Sequence, residues 1–231
     1  MILWSHEDVR VGFTTREGGV SEGPYASLNL GAATQDEPDR VFENRRRAVA
    51  RVDGDATTGA MAFQVHGAEV VKPEPVGIDR PVERPRCDGL WTDERDHALM
   101  LLTADCLPIA LARRGAVCVL HAGWRGLLAG IGGAGIDALG GDVHAMIGPG
   151  IGPCCYEVGD EVATPFRERF GDEVVHGRKL DLWTAAERAL AGAASIERTD
   201  LCTACHPELF FSHRRDRGVT GRQGVVARVA G

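Results

Sequence analysis

Two apolar runs of this chain stop at residues that bind soft metals. In "TADCLPIALARRGAVCVLHAGWRG", residues 103 to 126, Cys106 follows Thr103-Ala104-Asp105, and His121 opens His121-Ala122-Gly123-Trp124-Arg125-Gly126. A third segment, "QVHGAEV", carries His66 beside Gly67. Each lies near a Gly or Pro that interrupts a strand ladder, and strand ends are where α/β sheets gather functional side chains. One Cys and two His can give zinc three protein ligands and leave a fourth position for water or substrate, as in catalytic rather than structural sites. Water bound at such a site falls to a pKa of about 7. The same residues also fit a metal-free mechanism, with Cys106 as nucleophile and His121 as its base across adjacent strands. Both types also occur as plain core residues, Cys as a small hydrophobe. No two of the three form a short motif such as HExxH, so spacing leaves all three readings open.

The elements that must position them alternate between strand and helix patterns. "VRVGFTTREGGVS" reads as a strand running into a Gly-Gly turn, and "EPDRVFENRRRAVARV" as a helix with Val41, Phe42, Ala48 and Val49 at helical spacing. "AMAFQVHGAEVVKP" reads as one strand bent at Gly67. "HALMLLTADCLPIALA" is an apolar run broken at Thr103 to Cys106, and "AVCVLHAGWRG" a short buried strand ending at His121. "LLAGIGGAGIDAL" predicts the helix that follows, weakened by roughly 1 kcal/mol for each glycine relative to Ala. "VHAMIGPGIGP" is a further strand running into a Gly/Pro loop. "VGDEVATPFRERFG" and "LDLWTAAERALAGA" are amphipathic helices, the first tolerating Pro165 if it lies in the opening turn, and "VVARV" closes the chain as a strand. Several strands are apolar throughout, hence buried on both faces. The expected fold class is α/β, a layered sandwich with a mixed β-sheet core covered by helices. No repeat, low-complexity segment or linker divides the 231 residues, so one domain over 1–231 is expected.

The bulk numbers narrow the partners. A formal charge of −7 with no basic run beyond Arg45-Arg46-Arg47 argues against nucleic acid and anionic membranes. No stretch approaches the ~20 apolar residues of a membrane span, and "MILWSHEDVRVGF" lacks a signal-peptide pattern. Seven cysteines, an odd number, fit free thiols in a reducing cytoplasm.

Six motifs, "FTTREGGVSEGPYASLNLG", "QVHGAEV", "TADCLPIAL", "HAGWRG", "IGPGIGPCCYEVGDEV" and "FFSHRRDRGVTGRQG", resemble the laccase-domain family in the family's order, from Phe13 to Gln223. That family was first described as polyphenol oxidases. Its members are now described as purine nucleoside phosphorylases, with adenosine deaminase and methylthioadenosine phosphorylase activity. The resemblance implies zinc at His66, Cys106 and His121, with copper as a possible occupant. It also implies a layered α/β sandwich distantly similar to cysteine deamidase toxins, which use a Cys–His pair. Two departures stand out. The tail reads Thr220-Gly221-Arg222-Gln223-Gly224, where the family often has Met or Gln and then Ala after the Arg, and the helix after "HAGWRG" carries more glycines than usual.

Phosphorolysis of a purine nucleoside needs a clamp for phosphate, groups that recognise the base and a proton for the leaving purine. Arginine suits the clamp because its planar fork meets phosphate oxygens bidentately. Arg16 beside Gly18-Gly19 leads the candidates, then Arg45 after Asn44, with Arg125, Arg214 and Arg222 also inside motifs. Each has an equally plain role as a surface salt bridge. Asn29 in "SLNLG" is expected either to bind a base or ribose or to shape the turn before Gly31. Asp105 is expected to orient His121, to act as acid or base, or to cap a turn. The "GPGIGP" loop offers backbone N–H groups to an anion but reads more simply as a tight turn. Trp124, beside His121, can line a pocket. The zinc-deaminase signature is absent, so any deamination would reuse the three-ligand site. "CTACH" has the form of a haem attachment site, which requires export. Without a second CxxC, Cys202 and Cys205 are read as structural thiols, and Cys154-Cys155 as part of a turn. A monomer or small homo-oligomer is expected.

Overall fold

The structure, a computed structural model, describes residues 1–79 and 84–231. The chain opens with an antiparallel pair, β1 (Ile2–His6) and β2 (Val9–Phe13), followed by α1 (Pro38–Ala50). Then come β3 (Gly59–Met61), β4 (Val70–Val71), β5 (Gly89–Thr92), β6 (Ala98–Thr103), β7 (Leu107–Arg113) and β8 (Ala116–Ala122). Helices α2 (Trp124–Ala129) and α3 (Ile131–Leu139) lead to β9 (His144–Ile147) and α4 (Asp160–Phe170). A small hairpin, β10 (Val175–His176) and β11 (Lys179–Leu180), precedes α5 (Leu182–Ala189), β12 (Ser195–Arg198) and β13 (Gln223–Val229).

The long strands form two mixed sheets. One runs β1-β2-β13-β6-β3 and the other β12-β9-β7-β8-β5-β4. Side-chain alternation divides each central strand between two layers. On β8, Val117 and Val119 meet Leu99 and Leu101 of β6 and Val225 and Ala227 of β13 in a core between the sheets. Cys118 and Leu120 point the other way, with Ile109 and Leu111 of β7, onto Ile131, Phe166 and Ala185 of α3, α4 and α5. Met100 and Val226 face Leu28, Leu30, Ala48 and Val49 on the outside of the first sheet, where α1 packs. The result is four layers, helix, sheet, sheet and helices, which is the mixed α/β sandwich expected from the apolar strands. Among the described residues no helix is long and apolar enough to cross a membrane.

Three elements differ from the sequence reading. The strand expected to bend at Gly67 is two strands in different sheets, β3 in the first and β4 in the second, with residues 62–69 crossing between them. The helix after "HAGWRG" begins at Trp124 and breaks at Gly130, whose φ of +96° is open to glycine at little cost. Pro165 lies inside α4, not in its opening turn, and so forgoes the hydrogen bond to the Glu161 carbonyl. Burial of Val162, Ala163, Phe166 and Phe170 on one stripe holds the helix despite that loss.

Candidate metal centre

The alternation that builds β8 also aims its histidine. His121 shares the parity of Val117 and Val119, so its ring enters the space between the sheets at the strand's end. Cys106 lies in the tight passage from β6 to β7, and His66 in the passage from β3 to β4. One ligand atom from each of His66, Cys106 and His121 lies within 4.8 Å of the others. The two imidazole centroids are 4.8 Å apart at 75°. Ligand atoms around a tetrahedral zinc stand roughly 3.3–3.6 Å apart, within that envelope. His121 is buried, Cys106 half-buried and His66 exposed, so the cluster is closed on its sandwich side and open on the other. A Cβ on Gly123 would stand 3.0 Å from Cys106 Sγ and 3.4 Å from the His66 ring, so the cluster needs glycine there.

The residue that assembles this centre is Asp88, one position before β5. Its carboxylate accepts the backbone N–H groups of Val65, His66 and Gly67 at 3.0, 2.9 and 2.6 Å. These bonds hold His66 in the left-handed region, φ +62°, which a β-substituted residue adopts only when its surroundings fix it. The same carboxylate meets His121 Nδ1 at 2.7 Å. Burial pushes the Asp88 carboxyl up, but hydrogen bonds from His121 and from the N–H groups of Gly67 and Val65 outweigh it and hold it below its ordinary value. An ionised carboxylate only accepts, so Nδ1 carries a proton and Nε2 is the nitrogen that would ligate a metal once deprotonated. Sequence reading missed Asp88; its signal was an acid in "CDGLW", at the mouth of a buried strand.

The thiol and the imidazole act on each other strongly. Burial alone would raise the Cys106 thiol, but the His121 charge and hydrogen bonds to His121 and His66 bring it down to about 6. Burial alone would lower His121, but the Cys106 charge and the Asp88 hydrogen bond take it up to about 9. Both shifts run in the direction of a thiolate–imidazolium pair, and a metal bound at Nε2 would displace a proton from His121.

Asp105 does not orient His121. Its Oδ1 accepts from Thr203 Oγ1 at 2.6 Å, its Oδ2 from the Arg214 N–H at 2.7 Å and its carbonyl from the Ile151 N–H at 2.8 Å. At φ +90° it pins two loops against the Cys106 turn, and Asp88 does the orienting expected of it. Asn29 is fully buried. Its Oδ1 accepts from Gly31 N–H and Arg222 N–H, and its Nδ2 donates to Thr34 Oγ1 and Asp36 Oδ2. The amide is saturated, so the turn-shaping role replaces base recognition. Asn29→Ala is expected to cost roughly 2–3 kcal/mol of stability by urea titration, from the buried N–H groups left unpaired, and to leave metal binding at the three ligands unchanged.

The two leading clamp arginines lie elsewhere. Arg45 is fully buried in the stripe Val41, Asn44, Arg45, Ala48, Val49 of α1, donating from Nε to Leu30 O at 2.9 Å. A side chain so enclosed cannot reach a soluble anion. Arg16 donates to Ala26 O and Pro207 O and lies over Phe211, in a groove shared with Glu17 and Glu208 and with none of the three ligands. The N–H groups of Gly148, Gly150, Ile151 and Gly152 are all engaged within the fold, so the "GPGIGP" loop is a tight turn and not an anion cradle.

Tyr156 and Arg222 stand within electrostatic reach of Cys106. The Tyr156 phenol is pushed up to about 12 by burial and by the charges of Cys106 and Asp105, against Arg214 and Arg125. Arg125 is exposed, stacked over the Trp124 ring at 4.3 Å. The half-buried Arg222 is lowered by burial, opposed by Asp105 and Cys106, and donates from one nitrogen to Thr220 O and Gly221 O. Arg214 lies over the Tyr156 ring and donates to Glu157 O.

The chain belongs to the family described as multi-copper polyphenol oxidoreductase laccase, whose family model matches residues 10–230. Its relatives include purine nucleoside phosphorylase YlmD of Geobacillus stearothermophilus, 38% identical and covering 91% of this chain and 86% of that protein. Purine nucleoside phosphorylase YfiH of Escherichia coli is also 38% identical, over 90% of this chain and 89% of its own. The crystal structure of Geobacillus YlmD superposes with a TM-score of 0.88 at 35% identity, covering 97% of this chain and 93% of that one. That of Bacillus licheniformis hypothetical protein YfiH gives 0.90 at 34%, covering 96% and 93%.

Proposed function

We propose that this chain is a cytoplasmic, zinc-dependent purine nucleoside phosphorylase, converting inosine, guanosine, adenosine or methylthioadenosine and phosphate to free base and sugar 1-phosphate. The observation that carries the reading is the convergence of His66, Cys106 and His121, oriented by Asp88, in a chain whose relatives bear that name. Seven free cysteines support a reducing compartment. Held by these three side chains, zinc would supply a Lewis acid with an open coordination position.

The chain's own residues would do the rest. In the reaction a phosphate oxygen attacks C1′, the bond from C1′ to the purine nitrogen breaks, and the base leaves with the bonding pair and takes up a proton. Tyr156, whose raised phenol stays protonated in the neutral range, would donate from its Oη to the departing base. Arg222 and Arg125 replace Arg16 and Arg45 as the phosphate clamp, because they stand within the field of Cys106 or Tyr156. Arg222→Ala is expected to raise the phosphate KM about 10- to 100-fold, the loss of one or two charge-assisted hydrogen bonds, with a smaller change in nucleoside KM. The decisive assay is release of free base from inosine or adenosine with and without phosphate, on protein stripped of metal and then reloaded with zinc. Base release that ignores phosphate and zinc overturns the proposal.

Adenosine deamination would use the same centre, and ammonia release from adenosine without phosphate tests it. Copper, which such ligands favour over zinc, would account for phenol oxidation as an incidental activity of the same three ligands. A second reading rests on Cys106, His121 and Asp88, which together have the order of a nucleophile, the base that takes its proton and an orienting carboxylate. It would make the chain a metal-free cysteine hydrolase; the structural matches are to YlmD and YfiH proteins, and none of those named is a deamidase toxin. Activity that survives metal removal and ends on thiol alkylation would establish it in place of the phosphorylase.

A further inference from the structure

Outside the centre described above, the fold brings together four cysteines that lie in two turns nearly fifty residues apart in sequence. Cys154 and Cys155 sit in the turn after the "GPGIGP" loop, and Cys202 and Cys205 in the turn of "CTAC". Their sulfurs all lie within 4.8 Å of one another. Cys205 Sγ is 3.4 Å from both Cys154 Sγ and Cys155 Sγ. Zinc–sulfur bonds of about 2.3 Å place the sulfurs of a tetrahedral four-thiolate site about 3.8 Å apart, a little beyond the two 3.4 Å spacings and inside the 4.8 Å that encloses all four. All four thiols are free.

The surroundings are built for a ligating sulfur. Cys202, the buried member, accepts the Gly152 N–H at 3.3 Å, the kind of outer bond that orients a metal thiolate. The Cys205 N–H donates to Cys202 O at 3.2 Å, closing a tight CxxC turn, and the Cys155 N–H donates to Gly152 O at 3.0 Å. A Cβ on Gly152 would stand 3.3 Å from Cys202 Cβ and 2.6 Å from the Trp183 ring, so a glycine at this position allows the two turns to meet. The sequence concealed the site because the second pair is vicinal and not a second CxxC.

We propose that Cys154, Cys155, Cys202 and Cys205 form a second, structural metal site that binds zinc or a comparable thiophilic divalent ion with no open coordination position. Four thiolates and no imidazole or carboxylate select a soft or borderline ion in tetrahedral geometry. The site clips together the two loops that edge the catalytic centre. Tyr156 directly follows Cys155, and Thr203, directly after Cys202, donates to Asp105 beside Cys106. The long passage from β12 to β13, residues 199–222, contains no helix or strand beyond isolated bridges, so a metal clip gives it an anchor that its own backbone pairing does not.

Metal analysis of the full-length protein, purified without added chelator and under reducing conditions, tests this. The expected content is two equivalents of zinc per chain. It falls to one in Cys202→Ser/Cys205→Ser and to one, from the other site, in Cys106→Ser. Cobalt exchange into the wild type and into Cys106→Ser should give intense thiolate-to-metal absorption in both, because the four-sulfur site persists. The double cysteine variant is also expected to melt lower and to be cut faster by protease between residues 199 and 222. If that variant does not fold, the wild-type metal content and the Cys106→Ser cobalt spectrum still decide the matter. A single equivalent that Cys106→Ser abolishes, or an intact mass showing hydrogens lost to disulfides among these four cysteines in reduced preparations, overturns the proposal.

Discussion

Cys106→Ser is expected to empty the catalytic metal position and to lower phosphate-dependent base release about 1000-fold, some 4 kcal/mol of transition-state stabilisation at 1.4 kcal/mol per decade. Cys106 is the single anionic ligand of the three, and its thiolate exists near neutrality because His121 and His66 hold it down to about 6. A serine hydroxyl keeps its proton at that pH and binds zinc poorly, so two neutral imidazoles would remain with no negative charge between them. The same change removes the charge that raises His121, which then becomes an ordinary buried imidazole on an Asp88 hydrogen bond. Metal content and steady-state rate should fall together, and the melting temperature should drop with the lost ion. A variant that keeps its phosphate-dependent rate without metal would remove the centre from the mechanism.

Asp88→Asn is expected to weaken metal binding about 10- to 100-fold and to cost roughly 2–4 kcal/mol of stability, measured by chelator competition and urea unfolding. The carboxylate is fully enclosed and accepts four hydrogen bonds, from three consecutive N–H groups and from His121. An amide has one acceptor oxygen and presents an NH2 to the other donors, so at least one buried N–H loses its partner. His66 then relaxes from its left-handed conformation and His121 loses the bond that fixes its tautomer. Asp88→Glu, which keeps the charge but shifts the oxygens, should recover stability better than affinity. Unchanged chelator competition in Asp88→Asn would show that the two histidines are positioned without it.

Much of the fold was legible because β6, β7, β8 and β13 are apolar on both faces, which only a strand covered on both sides permits. The three ligands were legible as residue types at the ends of those runs, though spacing alone did not separate zinc ligand from nucleophile or core residue. What remained hidden depends on contacts between distant segments. Asp88 is an unremarked acid in sequence, and its function follows from being 2.7 Å from a ring thirty-three residues away. Arg45, beside Asn44, is the second clamp candidate in sequence, and Arg45-Arg46-Arg47 reads as a solvated helix face, yet α1 turns its stripe so that the first of the three is buried. Asn29 and Asp105 carry polar groups whose partners, Arg222, Thr203 and Arg214, come from the far end of the chain. Cys154-Cys155 and Cys202-Cys205 were dismissed separately because neither pair is a metal motif without the other.

Two of the three ligands lie where the backbone leaves one sheet for the other: His66 between β3 and β4, Cys106 between β6 and β7. The ion would thus act as a rivet through both leaves of the sandwich, and any slip of one leaf over the other would stretch its bonds. Side-chain changes deep in the shared apolar layer, far from any substrate, would then register as changes in the ion's coordination geometry.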